Sequence, residues 1–106
     1  MEQNVIQPYA AIGNDVIVWS GNHIGHHTTI GDHCFIASHA VVSGSVTVGR
    51  RSFIGVNATI RDNVTIGEEC VIGAGALILK NTKPGEVYVG QRSTKLPRSS
   101  RDLPSI

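Results

Sequence analysis

The chain has 106 residues, nine Lys and Arg against eight Asp and Glu, a formal charge of +1, and 41% hydrophobic residues. That length is one domain, and the balanced charge without a run of like sign argues against a nucleic-acid or membrane-surface partner. No apolar stretch reaches the ~20 residues that span a bilayer, and Met1 to Ala10 lacks the charged-then-apolar form of a signal peptide, so a cytoplasmic location is expected.

A period of six governs the chain from its start. Ile6, Ile12, Val18, Ile24, Ile30, Ile36, Val42, Val48, Ile54, Ile60, Ile66, Ile72 and Ile78 form an unbroken aliphatic, β-branched series. A helix would repeat near 3.6 and a half-buried strand near 2, so neither is the organising unit. Three hexads make one triangular coil, and coils stack at the spacing of adjacent strands, about 4.8 Å, so residues eighteen apart lie above one another. The predicted fold is all-β: a parallel β-helix of about four coils over residues 1–83, with a ladder of Ile and Val inside three flat sheets. Residues 84–106 are read as a C-terminal strand and tail.

The residue after the aliphatic one is often glycine (Gly13, Gly25, Gly31, Gly49, Gly55, Gly67, Gly73), as expected of a corner with unusual dihedrals. Four positions after it runs a second inward column of mostly small residues, Ala10 to Thr82. The repeat begins abruptly at Ile6, with little before it to cover an open strand edge. Two readings follow: a preceding domain belongs to a longer protein, or Met1 to Val5 is a minimal cap.

All five histidines fall between Ser20 and Ala40. Stacking places His33 above Asp15 and below Arg51, which lies below Glu69, a charged structural column. His23 stands between Val5 and Val41 and reads as a packing or contact residue. His39, between Gly21 and Asn57, has room for a ligand beside it. His26 lies between Pro8 and Gly44 and points outward, where an adjacent subunit could wall a cleft. An imidazole there suits general-base chemistry, because it exchanges a proton near neutral pH.

Cys34 and Cys70 occupy the small inward column two coils apart, about 9 to 10 Å, beyond disulfide reach. They are read as buried free thiols. After Lys83 come turn residues at Pro84-Gly85, then a short apolar strand, Val87-Tyr88-Val89, and a Ser-, Pro- and Arg-rich segment from Gln91 to Ile106, expected to be loose or ordered by a neighbouring subunit.

Ile24-Gly25-His26-His27 followed by Ile30-Gly31-Asp32, then Ser43-Gly44-Ser45-Val46, Gly55-Val56-Asn57-Ala58 and Gly73-Ala74-Gly75-Ala76, resemble the hexapeptide-repeat acyltransferases. Within them they are similar to the sialic-acid O-acetyltransferase and nucleotide-sugar N-acetyltransferase branch. The resemblance covers about Ile6 to Gly90. It implies a left-handed helix, although crossovers usually favour the right hand. It also implies acetyl transfer to a sugar or nucleotide-sugar hydroxyl or amine.

By the same resemblance His26 is the base and His27 its neighbour, where relatives commonly carry a carboxylate that Asp32 or another subunit would have to replace. Acetyl-CoA would lie along Gly55, Val56, Gly73, Ala74 and Gly75 between subunits of a homotrimer, with no metal. Relatives also place a CoA-contacting histidine at the position of Phe35, and a Gly-Val-Pro-Ala where this chain has Gly90-Gln91-Arg92-Ser93. The coils lack a loop insertion, so the acceptor pocket would come from a preceding α/β domain.

Two rivals share the repeat. A γ-carbonic-anhydrase-like zinc enzyme needs a histidine pair two coils beyond the first, and no histidine follows His39. A non-catalytic scaffold, such as a flat ice-binding threonine array, would need regular spacing of Thr28, Thr29, Thr47, Thr59 and Thr65, which are read as irregular.

Overall fold

The computed structural model describes residues 3–102; Met1, Glu2 and residues 103–106, including parts of the expected cap and tail, lie outside the described residues. Each hexad contributes a two-residue strand. In chain order these are β1 (Val5–Ile6), β2 (Ala11–Ile12), β3 (Ile17–Val18), β4 (His23–Ile24), β5 (Thr29–Ile30), β6 (Phe35–Ile36), β7 (Val41–Val42), β8 (Thr47–Val48), β9 (Phe53–Ile54), β10 (Thr59–Ile60), β11 (Thr65–Ile66), β12 (Val71–Ile72) and β13 (Leu77–Ile78). After a longer connection β14 (Val87–Tyr88) follows, on the expected apolar segment.

The strands stack in parallel into three sheets: β1-β4-β7-β10-β13 forms the first face, β2-β5-β8-β11 the second and β3-β6-β9-β12-β14 the third. The molecule is a left-handed parallel β-helix. Its register is eighteen residues throughout, as in Val5↔His23↔Val41 and Ile36↔Ile54↔Ile72. Within β1 to β13 the first side chain faces out and the second, the β-branched one, faces the axis.

From Val18 to Ile78 the inward column is buried. Ile6 and Ile12 belong to the same column but, in the first coil at its open end, stay 44% and 37% exposed. Val18 and Ile78 also end their sheets and are only 2% and 4% exposed.

The glycine column has a different cause from the one expected. The left-handed conformation sits two residues later, at Tyr9, Asp15, His27, His33, His39, Ser45, Arg51, Asn57, Asn63 and Glu69, with φ between 54° and 65°. Each left-handed corner costs roughly 1–2 kcal/mol in a residue with a Cβ. Part of that is offset where its N–H donates to a carbonyl one coil below, as from His33 to Asn14 at 2.9 Å and from Ser45 to His26 at 2.8 Å. The glycines are needed because the next coil comes close: a Cβ on Gly25 would lie 2.5 Å from the Ser43 carbonyl carbon, and one on Gly49 2.5 Å from the Glu68 nitrogen. Gly25→Ala should accordingly cost about 1–3 kcal/mol through forced backbone movement. A thermal melt should show a fall of several degrees, and an unchanged midpoint would mean that the coils can separate there at no cost.

The small inward column also carries hydrogen bonds. The Thr28 hydroxyl donates to the Ser43 carbonyl at 2.9 Å, Ser52 to Gly67 at 3.0 Å, and the Cys34 and Cys70 thiols to Gly49 and Lys83 at 3.2 and 3.1 Å. Asn22 Oδ1 accepts the Ala40 N–H at 2.7 Å. These corner groups are buried, so they need such partners. Both cysteines are free and buried, as expected.

The outward columns differ by face. The third face presents Ile17, Phe35, Phe53, Val71 and Val87, all apolar. On the second, Thr29, Thr47 and Thr65 stack in register. Three of the five threonines read as irregular therefore do form an array, a single column one residue wide. No helix among the described residues is long and apolar enough to cross a membrane.

Candidate functional site

Three edges separate the faces, and their chemistry differs. The edge between the first and second faces carries His26 and His27 in its early coils and Arg61, Asp62 and Lys80 in its later ones. Between the second and third faces come Asn14, Asp15, Asp32, His33, Arg50, Arg51, Glu68 and Glu69, a charged edge. Between the third and first faces, above Trp19 in the first coil, the residues are mostly small and uncharged: Ser20, Gly21, Ser38, Val56, Asn57, Ala74 and Gly75, with His39 among them.

His26 follows β4, one glycine after the buried Ile24. Its N–H donates to Gln7 Oε1 at 2.9 Å and its carbonyl accepts from Ser45, so the main chain is pinned from below and above. The ring lies against the bare Cα of Gly44: a Cβ there would come within 2.6 Å of Nε2. Both rings are solvent-exposed, and their Nδ1 atoms lie 3.1 Å apart. Only one of two neutral imidazoles can donate across such a contact. When His26 Nδ1–H donates to His27, His26 Nε2 is left with a lone pair, the form a general base requires. His27 is itself held by stacking on Tyr9, with ring centroids 5.0 Å apart and planes at 16°.

His27 thus orients the His26 ring from the position where a carboxylate would both orient it and add negative charge. Asp32 does not take over within the chain. It lies on the charged edge, where its Oδ1 accepts the Asn14 N–H at 2.7 Å. Gln7 and Tyr9 were not singled out in the sequence, although Tyr9 stands eighteen residues before His27 and so falls directly beneath it by the stacking rule.

The remaining histidines separate. His33 pairs with Asp15 at 3.4 Å, as the column suggested, but the Arg–Glu pair of that edge is Arg50–Glu68 at 3.1 Å, one residue before Arg51 and Glu69. The His39 ring fills the space above Gly21 that was expected to admit a ligand. His23 is half-buried mid-face between Val5 and Val41.

Gly55, Val56, Gly73, Ala74 and Gly75 gather on the small-residue edge. Gly55 lies beneath the Ala74 main chain, Val56 and Ala74 are exposed, and Gly75 donates to the Val56 carbonyl at 2.8 Å. Gly75 also borders an open hollow of about 460 Å³ with Leu77, Val89, Gly90 and Gln91. This edge and the histidine edge flank the first face, so one chain holds the two sets a face apart. Phe35 lies on the third face, stacked on Phe53 at 5.4 Å with Trp19 edge-on at 5.2 Å. Burial pushes the Cys34 thiol above its ordinary value, so it does not supply a thiolate.

A left-handed β-helix of unbroken hexads with an exposed histidine pair on one edge defines a hexapeptide-repeat protein. The chain belongs to the bacterial transferase hexapeptide (six repeats) family, whose pattern matches residues 9–44 and 45–80. No curated protein matches it significantly in sequence.

Among solved structures it is similar to a variant of perosamine N-acetyltransferase from Caulobacter crescentus in complex with CoA and GDP-perosamine. The identity is 23% and the TM-score 0.73, over 84% of this chain and 51% of that one. PerB from the same organism, also with CoA and GDP-perosamine, is 28% identical with a TM-score of 0.65, over 84% of this chain and 52% of that one. Serine acetyltransferase from Neisseria gonorrhoeae, in complex with serine, is 24% identical with a TM-score of 0.75, over 85% of this chain and 42% of that one. The chain spans about half the length of these proteins.

Proposed function

We propose that this chain is the β-helix part of an acetyl-CoA-dependent acetyltransferase acting on a hydroxyl or amine of a sugar or nucleotide sugar, with His26 as general base. The carrying observation is the 3.1 Å Nδ1–Nδ1 contact, which orients an exposed His26 ring; with His26 Nδ1–H donating to His27, Nε2 carries the lone pair that takes a proton. The likeness to proteins crystallised with CoA and GDP-perosamine favours the donor and the acceptor class.

In this reading His26 Nε2 removes the acceptor proton as the acceptor lone pair attacks the thioester carbon. Main-chain N–H groups stabilise the oxyanion, and its collapse expels CoA thiolate, which takes the proton back from the imidazolium. No covalent enzyme intermediate is needed, in keeping with thiols that point into the core.

The placement of the two residue sets supports a homotrimer with a defined orientation. The histidine edge and the small-residue edge flank the first face, whose outward column is Val5, His23, Val41, Thr59 and Leu77. Turning that face to the three-fold axis puts both edges at subunit boundaries and leaves the opposite edge, with Asp32, Arg50 and Glu68, in solvent. The histidine edge of one chain then meets the small-residue edge of the next, uniting His26 with Gly55, Val56, Gly73, Ala74 and Gly75 in one cleft for CoA.

Acetyl-CoA titrated by calorimetry into wild type and Ala74→Trp tests this, with thiol release followed on amino-sugar nucleotides and on serine. Wild type should bind and turn over an amino-sugar nucleotide, and the indole should weaken binding by about tenfold or more, ~1.4 kcal/mol. A well-formed trimer that binds no CoA would overturn the enzyme reading in favour of a scaffold; turnover of serine alone would overturn the acceptor class.

A further inference from the structure

We propose that three His23 side chains, one from each chain, form a transition-metal site on the three-fold axis. The inference rests on the trimer orientation argued above and goes beyond it, because that reading gives His23 no role. His23 is the first residue of β4, so it faces out from the first face. It is the one titratable group in that column, stacked in register between Val5 and Val41. Among the described residues its ring makes no hydrogen bond, and its in-register neighbours are aliphatic and offer it no polar atom.

Exposure to water resolves that in a lone chain. Turned to the axis, each ring would be enclosed by Val5 and Val41 of three chains. An imidazole left without a partner in such surroundings loses the hydrogen bonds it makes to water and gains none in return. Rotation about an axis parallel to the β-helix axis preserves height, so the three rings face that axis at one level. Three neutral imidazoles converging at one level are the protein ligand set of a four-coordinate Zn²⁺ or Co²⁺ ion whose fourth position holds water. One ion satisfies three ring nitrogens at once, and the valine layers on either side keep competing ligands away. Within one chain the described residues hold no group of three metal-ligating side chains, so the site exists only in the assembly.

Co²⁺ added to tag-free, metal-stripped protein of measured oligomeric state tests the inference. A trimer should bind about one ion per three chains with the visible absorption of a four-coordinate site. His23→Gln, which keeps a polar side chain of similar reach, should abolish the band while the trimer persists. A trimer that binds no Co²⁺ would overturn the site and leave the enzyme reading standing. So would a band that survives in His23→Gln and is lost in His26→Ala, since the ion would then sit on the edge pair. A chain that stays monomeric would overturn the assembly and this inference with it.

Discussion

His26→Ala is expected to lower acetyl transfer by about 10²–10⁴-fold, the usual contribution of a positioned general base, while leaving acetyl-CoA binding near the wild-type level. The ring is exposed and its main chain is pinned by Gln7 and Ser45, so truncation removes the proton acceptor without loosening the coil. Steady-state thiol release and calorimetry on the same preparations separate the two effects. Equal loss of binding and turnover would make His26 a ligand-binding residue and not the base.

The same variant tests how the cleft is divided. His26→Ala and Ala74→Trp damage opposite edges, so a mixed trimer contains clefts whose histidine edge comes from an Ala74→Trp chain and whose small-residue edge comes from a His26→Ala chain. Such clefts are wild type. At acetyl-CoA concentrations too low to fill the Ala74→Trp clefts, unfolding and refolding the two impaired proteins together should recover part of the activity, whereas mixing without subunit exchange should not. Failure to recover activity in verified mixed trimers would place both sets in one chain's site.

Ile54→Ala is expected to cost about 2–5 kcal/mol, a large share of the ~5–15 kcal/mol that holds a domain of this kind together. Ile54 is 0% exposed and lies between Ile36 and Ile72 in the inward column. The flat sheets have little freedom to collapse on the cavity, because each strand is fixed by bonds to the coils above and below. Ile12→Ala removes the same atoms from the open end and should cost clearly less. Denaturant midpoints at one fixed chain concentration, which an oligomer requires, would rank them, and equal losses would show that the end coil is covered in solution.

Much of this molecule was legible in the linear chain because its coils are periodic. The β-branched residue every six positions defines the inward ladder, and the eighteen-residue register follows from three faces. From these come the free cysteines, the Asp15–His33 pair, and the outward placement of His26 over Pro8 and under Gly44. The Tyr9–His27 contact was available from the same rule.

The amino-acid order by itself thus determined the coil length, the register and which side chains point in, since these follow from repeat length and strand alternation, while the left hand came from the family resemblance. Only the folded coils decided why a glycine so often follows the aliphatic residue, which neighbour holds the His26 ring, and that Asp32 accepts from Asn14. Those outcomes turn on a few ångströms between main chains of successive coils and on the rotamers at each corner. No periodicity in one dimension encodes such distances, because they arise when backbones eighteen residues apart come into contact.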